Sequence, residues 1–482
     1  MSDTTANPNK WAVLSTVLVG VFMAMIDSSI VNVALPTLVR ELRADFVAIQ
    51  WVPLGYMLTV TCLMMLAGRL ADIWGKRNIY ALGFATFTVA SLLCAVAGSL
   101  STLVAARVLQ GVGAAIIMAI GPAVLVATFP PQERGKAIGL TGSVVSLGIV
   151  LGPTVGGFIL AHAHWGWIFA VNLPFGLVGT LLVLRLVSSA RPPTREPFDR
   201  PGALALSAGL LALLLALTVG QKGLFSPPVV TASWAVGFGA LLAFVIIEVK
   251  TAKPMMDLRI FQNLTFSVNL AASFLNFIAL AGVVILTPFY LQGVLKLSPQ
   301  AAGLTLAAMP LVIGVVAPIA GSLSDRYGTP AMTSLGLLVL GLGFLLVKSL
   351  GTETSVGGYV ARFAVVGLGI GLFQSPNNSA ILGAAPRASL GVASGLLAVA
   401  RTLGQTSGIA VLSTFWAGRV LSHAGWGAGA DASKAPLEAQ VAALSDTSLV
   451  LVALTAGSLL LVATAFLRSR QVEAPAVASA KA

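Results

Sequence analysis

Long uninterrupted apolar runs limit what this chain can fold into more than any other feature. Ala203 to Val219 and Ser448 to Leu467 each come close to the ~20 residues that an α-helix needs to cross a hydrocarbon core. Such runs recur from one end of the chain to the other, and the remaining charge is too sparse to clothe a soluble surface. Only 9% of residues are charged, against about 25% in an ordinary soluble domain. Lipid is therefore the solvent for most of the surface, and the fold class is all-α integral membrane.

Charged and Pro/Gly-rich punctuation divides the chain into fourteen spans. Six lie near 11–36, 49–70, 78–98, 101–128, 137–161 and 167–187. A polar linker, Arg191-Pro-Pro-Thr-Arg-Glu-Pro-Phe-Asp-Arg200, leads to two spans near 202–220 and 229–249 that read as an insertion. A second six follows near 265–292, 300–323, 331–350, 357–380, 390–416 and 446–467. The expected plan is two pseudo-symmetric six-helix bundles, 1–190 and 261–470. The linkers and two additional transmembrane helices occupy 191–260, and a disordered cytoplasmic tail 471–482. The first run is too long for a signal peptide and reads as a retained helix.

The net charge of +12 would suggest nucleic acid in a soluble protein. Here the basic residues form no basic face. With the N-terminus in the cytoplasm, most of the 28 Lys and Arg fall in inner loops, among them Lys76, Arg77, Arg134, Lys136, Arg185, Arg191, Arg195, Arg200, Lys250, Lys253, Arg259, Arg468 and Arg470. That is the positive-inside pattern, and it puts both termini in the cytoplasm. Cys62 and Cys94 lie inside spans and read as packing residues. His162, His164 and His423 fall in predicted outer loops, too far apart for a metal site. No phosphate-binding Walker loop is present, so ATP does not drive the chain directly.

The two halves repeat each other. Gly68-Arg-Leu-Ala-Asp-Ile-Trp-Gly75 and Gly321-Ser-Leu-Ser-Asp-Arg-Tyr-Gly328 share G-x-L-x-D-x-x-G after corresponding spans, and Arg107 with Gly111 and Gly113 is loosely echoed by Arg362 with Gly367 and Gly369. Two equivalent halves suit a transporter that alternates access by rocking one bundle against the other. Gly68, Arg69, Asp72, Gly75, Lys76, Arg77, Asp325 and Arg326 then read as a charge latch at the cytoplasmic ends, broken when the state changes.

Asp27 is the most informative residue, because a carboxylate inside a span costs on the order of 2.5 to 3.5 kcal/mol. Counting along the helices puts Asp27 roughly 24 Å from the cytoplasmic edge and Arg107 roughly 9 Å below the outer one, so the two can share a layer. Burial favours the neutral acid and a nearby guanidinium the ionised one. A group balanced in this way can couple transport to a proton. Arg401 reads as a cation facing a polar cavity, and Arg362 as one near a helix end. Asn32, Tyr56, Gln110, Gln374, Asn377 and Asn378 are possible walls of a substrate cavity. Asn172 can either line the path or bond between helices. Gly148, Gly152 and Gly156, with Pro153 and Gly157 beside them, form a ridge that permits close packing.

These segments together resemble the fourteen-helix drug:proton antiporter branch of the major facilitator superfamily. Asp27-Ser-Ser-Ile-Val-Asn-Val-Ala-Leu-Pro36 is similar to that branch's first-helix motif, Gly68 to Arg77 to the superfamily loop motif, Arg107-Val-Leu-Gln-Gly-Val-Gly113 to the fourth-helix motif, and Gly148 to Gly157 to the fifth-helix antiporter motif. Trp165-Gly-Trp-Ile-Phe-Ala-Val-Asn-Leu-Pro174 is similar to a further signature, with Gly166 where an Arg is usual. The resemblance implies a secondary active efflux transporter of small amphipathic drugs or toxic compounds, with no cofactor beyond the proton gradient and no nucleic-acid partner. It is expected in the bacterial cytoplasmic membrane and to work as a monomer. Asp27 is the only acid placed well inside a span, which disfavours dicationic substrates. A dedicated metabolite exporter or a uniporter of the same fold is the alternative, and a non-transporting membrane sensor the remoter one.

Overall fold

The computed structural model describes residues 9–187, 200–219, 227–251, 258–386, 390–427 and 430–479. They form α1 (Lys10–Glu41), α2 (Phe46–Ile49), α3 (Trp51–Trp74), α4 (Lys76–Ala95), α5 (Leu100–Thr128), α6 (Pro131–His162), α7 (Trp167–Ala170), α8 (Asn172–Leu186), α9 (Arg200–Val219), α10 (Pro227–Lys250), α11 (Leu264–Phe289), α12 (Pro299–Leu306), α13 (Ala308–Tyr327), α14 (Thr329–Lys348), α15 (Val356–Ala384), α16 (Leu390–Ala424) and α17 (Leu437–Ser479). Among the described residues, twelve helices are long and apolar enough to cross a membrane by length and composition. The two remaining predicted spans, 137–161 and 202–220, fall on α6 and α9, where apolar stretches of shorter length are found at Leu147–His162 and Leu204–Leu213.

The chain divides into two units, residues 1–255 with 296–307, and residues 256–295 with 308–482. The boundaries differ from the expected 1–190, 191–260 and 261–470 in two ways. The inserted pair α9 and α10 belongs to the first unit, where α9 packs on α3 and the Ser207 hydroxyl donates to the Cys62 carbonyl at 3.0 Å. The short α12 joins the first unit as well, because α6 offers it a surface without side chains. A Cβ on Gly157 would lie 3.1 Å from Gln300 Cα and 3.2 Å from Gly303 Cα, so the backbones touch.

Within each unit the helices pair in the same way. In the first, α1 packs on α6, α3 on α5, α4 on α5 and α4 on α8; in the second, α11 packs on α16, α13 on α15, α14 on α15 and α14 on α17. The duplicated loop motif has a structural counterpart. A single residue separates α3 from α4 and α13 from α14, and these residues are Gly75 at φ +91° and Gly328 at φ +87°. Side chains are excluded from that backbone region, so the last glycine of each motif copy is what allows one helix to end and the next to begin.

The last two helices are longer than the apolar runs that announce them. The predicted spans end at 416 and begin again at 446, yet α16 continues to Ala424 and α17 begins at Leu437. Charges paired across the two helices extend them: Asp446 accepts from Arg419 Nε at 2.6 Å and lies 2.8 Å from His423 Nε2. His423 therefore sits on a helix and not in a loop, and His162 is the last residue of α6. At the other end the backbone of α17 stays helical to Ser479, where a disordered tail is expected from 471. Good helix formers such as Arg470, Gln471 and Glu473 occupy that stretch.

Gly75→Ala and Gly328→Ala should each destabilise the protein by about 1 to 3 kcal/mol, the cost of a side chain in a forbidden backbone region. Thermal unfolding of the purified protein in detergent checks this. Gly68→Ala, inside α3 with open space around it, should be neutral or stabilise by up to about 1 kcal/mol.

Candidate functional site

Asp27 lies in the middle of α1 and has no solvent exposure. It survives there because donors from α5 and α8 converge on it. Arg107 Nη1 of α5 donates to Oδ2 at 2.6 Å, and Oδ1 accepts from Gln110 Nε2 of α5 and from Asn172 Nδ2 of α8, each at 2.8 Å. The two intramembrane charges that depth counting places in one layer are therefore in direct contact. A carboxylate with three donors, one of them cationic, is the arrangement that offsets desolvation.

Arg107 is held as closely as its partner. Its Nη1 also donates to Gln110 Oε1 at 2.5 Å, its Nε donates to the Val52 carbonyl of α3 at 3.1 Å, and its guanidinium lies 4.2 Å from the centre of the Tyr56 ring and 5.7 Å from that of Phe169. Gln110 completes the network by donating to Ser91 Oγ at 2.8 Å. Behind it, the Cys94 thiol lies 3.7 Å from Gln110 Oε1. Tyr56 and Gln110, expected on a cavity wall, are instead buried members of this cluster. One turn of helix explains the pair on α5: Arg107 and Gln110 are three residues apart and share a face.

Glycines let the helices come close enough for these contacts. A Cβ on Gly111 would stand 2.7 Å from Thr59 Cβ of α3, and one on Gly113 would stand 2.5 Å from the Phe87 nitrogen of α4. The glycines beside Arg107 therefore draw α5 against the helices that carry its partners. The ridge on α6 does the same for α1. Gly148 meets Met25, Gly152 meets Ser29, Gly156 meets Ile30, and Ser29 Oγ donates to the Gly148 carbonyl at 3.0 Å. All of these α1 residues lie within a turn of Asp27.

The unusual Gly166 belongs to the same construction. A Cβ there would run into the Ala95 carbonyl at the end of α4, so this backbone has no room for the more usual arginine. The segment from Trp165 to Pro174 then turns inward and delivers Phe169 and Asn172 to the cluster.

The other predicted site residues lie elsewhere. Of the latch residues, the side chains of Arg69 and Asp72 lie outside the described residues. Lys76 donates to the Ala123 carbonyl of α5 at 3.3 Å and Arg77 to the Leu184 carbonyl of α8, so these cations hold carbonyls near helix C-termini, where the dipole favours them. Asp325 and Arg326 are exposed, and Arg326 stands 5.5 Å from the Tyr327 ring centre. A charge contact that the sequence reading did not single out does join the Lys10 end of the first unit: Lys10 Nζ to Glu133 Oε2 at 2.7 Å, with Trp11 edge-on to Phe129.

In the second unit, Gln374 lines a small cavity with Asn276, Phe277, Phe344 and Phe373. Asn377 ties two helices, its Nδ2 donating to Ser273 Oγ at 2.9 Å and to the Asn269 carbonyl at 3.3 Å. Arg401 stands 5.7 Å from the Phe277 ring centre. Arg362 binds the Leu346 and Gly358 carbonyls and Ser349. Asn32 donates to its own helix at the Ser28 carbonyl, and Asn378 is half-buried. Glu248 is a second buried carboxylate, near the Lys250 end of α10, that the sequence pattern does not reveal. Its place at the end of an apolar run, where charge is ordinary, concealed it. Among the described residues, no group of His, Cys, Asp and Glu could hold a metal.

The family model of the Major Facilitator Superfamily matches residues 17–409. The chain belongs to the Major Facilitator Superfamily. It is a multi-pass membrane transporter of small molecules and not an enzyme. A riboflavin transporter of Clostridioides difficile (strain 630) is 36% identical over 412 residues, covering 85% of this chain and 88% of the relative. A multidrug resistance protein, Stp, of Mycobacterium tuberculosis (strain CDC 1551 / Oshkosh) is 33% identical over 401 residues, covering 82% and 74%. Among solved structures, a peptide transporter in complex with sulfate superposes with a TM-score of 0.69 at 17% identity, covering 96% of each chain. That likeness concerns the superfamily fold alone.

Arg107→Leu leaves the Asp27 carboxylate buried without its counter-charge and should cost about 3 to 5 kcal/mol. The double variant Asp27→Asn with Arg107→Leu should recover most of that loss. Thermal unfolding of the purified variants measures both.

Proposed function

We propose that this transporter exports small amphipathic molecules in exchange for protons, with Asp27 as the proton carrier. The observation that supports this reading best is a fully buried carboxylate tied to a cation and an amide of α5 and to a second amide of α8. Burial disfavours the charged acid and the guanidinium favours it. A rearrangement that weakens the Arg107 contact lets Asp27 take a proton on one side of the membrane, and one that restores it expels the proton on the other. The gradient supplies the energy and no cofactor is required.

In this reading α6 and α9 complete a set of fourteen spans. The Lys and Arg bias puts both termini in the cytoplasm of a bacterial cell, and one chain suffices for transport. The multidrug resistance relative supports lipophilic, neutral or singly charged cargo. The riboflavin transporter, more similar in sequence, supports a second reading: a dedicated carrier for one metabolite, moved by the same site.

Purified protein in liposomes, challenged with a panel of lipophilic monocations, neutral and zwitterionic drugs, and riboflavin, should release protons on addition of a transported compound. Asp27→Asn should abolish that release and proton-driven export while the protein still reconstitutes. Wild-type export by the Asp27→Asn variant refutes the carrier role. A response to riboflavin alone favours the dedicated carrier.

A further inference from the structure

The geometry points to Asn172 as a positioning residue that serves both protonation states of Asp27 by turning its amide over. This rests on the proposed role of Asp27 as proton carrier. With the acid ionised, Asn172 Nδ2 donates to Asp27 Oδ1 at 2.8 Å. Once that oxygen carries a proton, it needs an acceptor where it now has a donor. The groups around it are already committed. Gln110 Oε1 accepts from Arg107 at 2.5 Å and faces the Cys94 thiol, so turning that amide would press its NH₂ against the guanidinium. The Val52 carbonyl accepts from Arg107 Nε, and Ser91 Oγ accepts from Gln110 while donating to the Phe87 carbonyl.

Asn172 Oδ1 is different: it is buried and has no hydrogen-bond partner. An amide is nearly symmetric in shape, and its oxygen and nitrogen exchange places by rotation about one bond. The turn brings Oδ1 to within reach of the protonated Asp27 and places the NH₂ where an unpartnered oxygen was, so the number of unmatched buried groups stays the same. The charged and titratable groups that face Asp27 and its partners are Arg107 on α5, Tyr56 on α3 and Cys94 on α4. Neither Tyr56 nor Cys94 hydrogen-bonds to the carboxyl, so the proton on Asp27 is matched by Asn172.

A donor to the ionised form is worth more than an acceptor for the neutral one, because the first bond is charge-assisted. Asn172→Leu leaves no amide oxygen to turn inward, so the Asp27 acid proton should lack an acceptor and its carboxyl band should move to higher frequency. Asn172→Ser, whose hydroxyl can donate or accept, should keep the band nearer its wild-type position. The measurement is pH-difference infrared spectroscopy of purified protein in liposomes, with the Asp27 carboxyl band assigned by its loss in Asp27→Asn.

Three outcomes are informative. A band at higher frequency in Asn172→Leu than in the wild type and in Asn172→Ser, because the acid proton there lacks an acceptor, supports the amide switch. A band that titrates in the wild type and is unmoved in both variants overturns the switch and leaves Asp27 as the carrier. No titrating Asp27 band in the wild type overturns the carrier reading and the switch with it. If Asn172→Leu does not fold, Asn172→Ala takes its place, and its band frequency decides.

Discussion

The contact between Asp27 and Arg107 is the constraint around which the first unit is organised. Two charges removed from water are tolerated only when geometry and supporting hydrogen bonds are nearly complete, and completeness here requires groups from α1, α3, α4, α5 and α8 at once. Helices clothed in ordinary side chains sit 8 to 10 Å apart, too far for short polar side chains to meet across several interfaces. The glycines of α5 and α6 remove that separation at the interfaces next to the pair. The motif glycines and the motif charges are thus one device: the glycines set the distances at which the charges become affordable.

The internal repeat preserves this skeleton and changes what it contains. The α1 and α5 contact of the first unit corresponds to α11 and α15 in the second. There Asn377, Ser273 and the Asn269 carbonyl occupy the interface as neutral hydrogen-bonding groups. Close glycine approaches persist, with Gly369 against Leu340 and Gly336 against the Phe373 backbone, but no buried ion pair accompanies them among the described residues. Arg362, the sequence echo of Arg107, instead binds the Leu346 carbonyl near the end of α14 and the Gly358 carbonyl of its own helix. Duplicated backbone geometry thus carries unequal polar content, a buried ion pair at the α1–α5 contact and neutral hydrogen bonds at the α11–α15 contact.

Much of this was legible in the sequence, for identifiable reasons. Apolar length located the helices because lipid leaves no other way to satisfy the backbone. Depth counting paired Asp27 with Arg107 because rise per residue is constant in a helix. What remained hidden depended on side-chain direction and on helix ends. Asn172 was recognisable as polar, but its aim toward Asp27 depends on the inward turn that Gly166 permits. Lys76 and Arg77 read as partners for carboxylates, whereas the nearest acceptors are carbonyls, which no residue type announces. His423 looked like a loop residue because its pairing with Asp446 across two helices leaves no local pattern.

The pair also bears on how access and charge are linked. Asp27 has no contact with solvent in this conformation, and every donor it uses belongs to a helix packed through small residues. A proton cannot reach or leave such a group while those helices stay closed, and separation of α1 from α5 would strip the carboxylate of Arg107 and Gln110 together. Opening the site and destabilising its charged form are then the same event, because one set of contacts provides both closure and charge compensation. A site built from long flexible side chains would allow the two to be separated. Short groups on glycine-spaced helices do not, so closure and charge compensation stand or fall together.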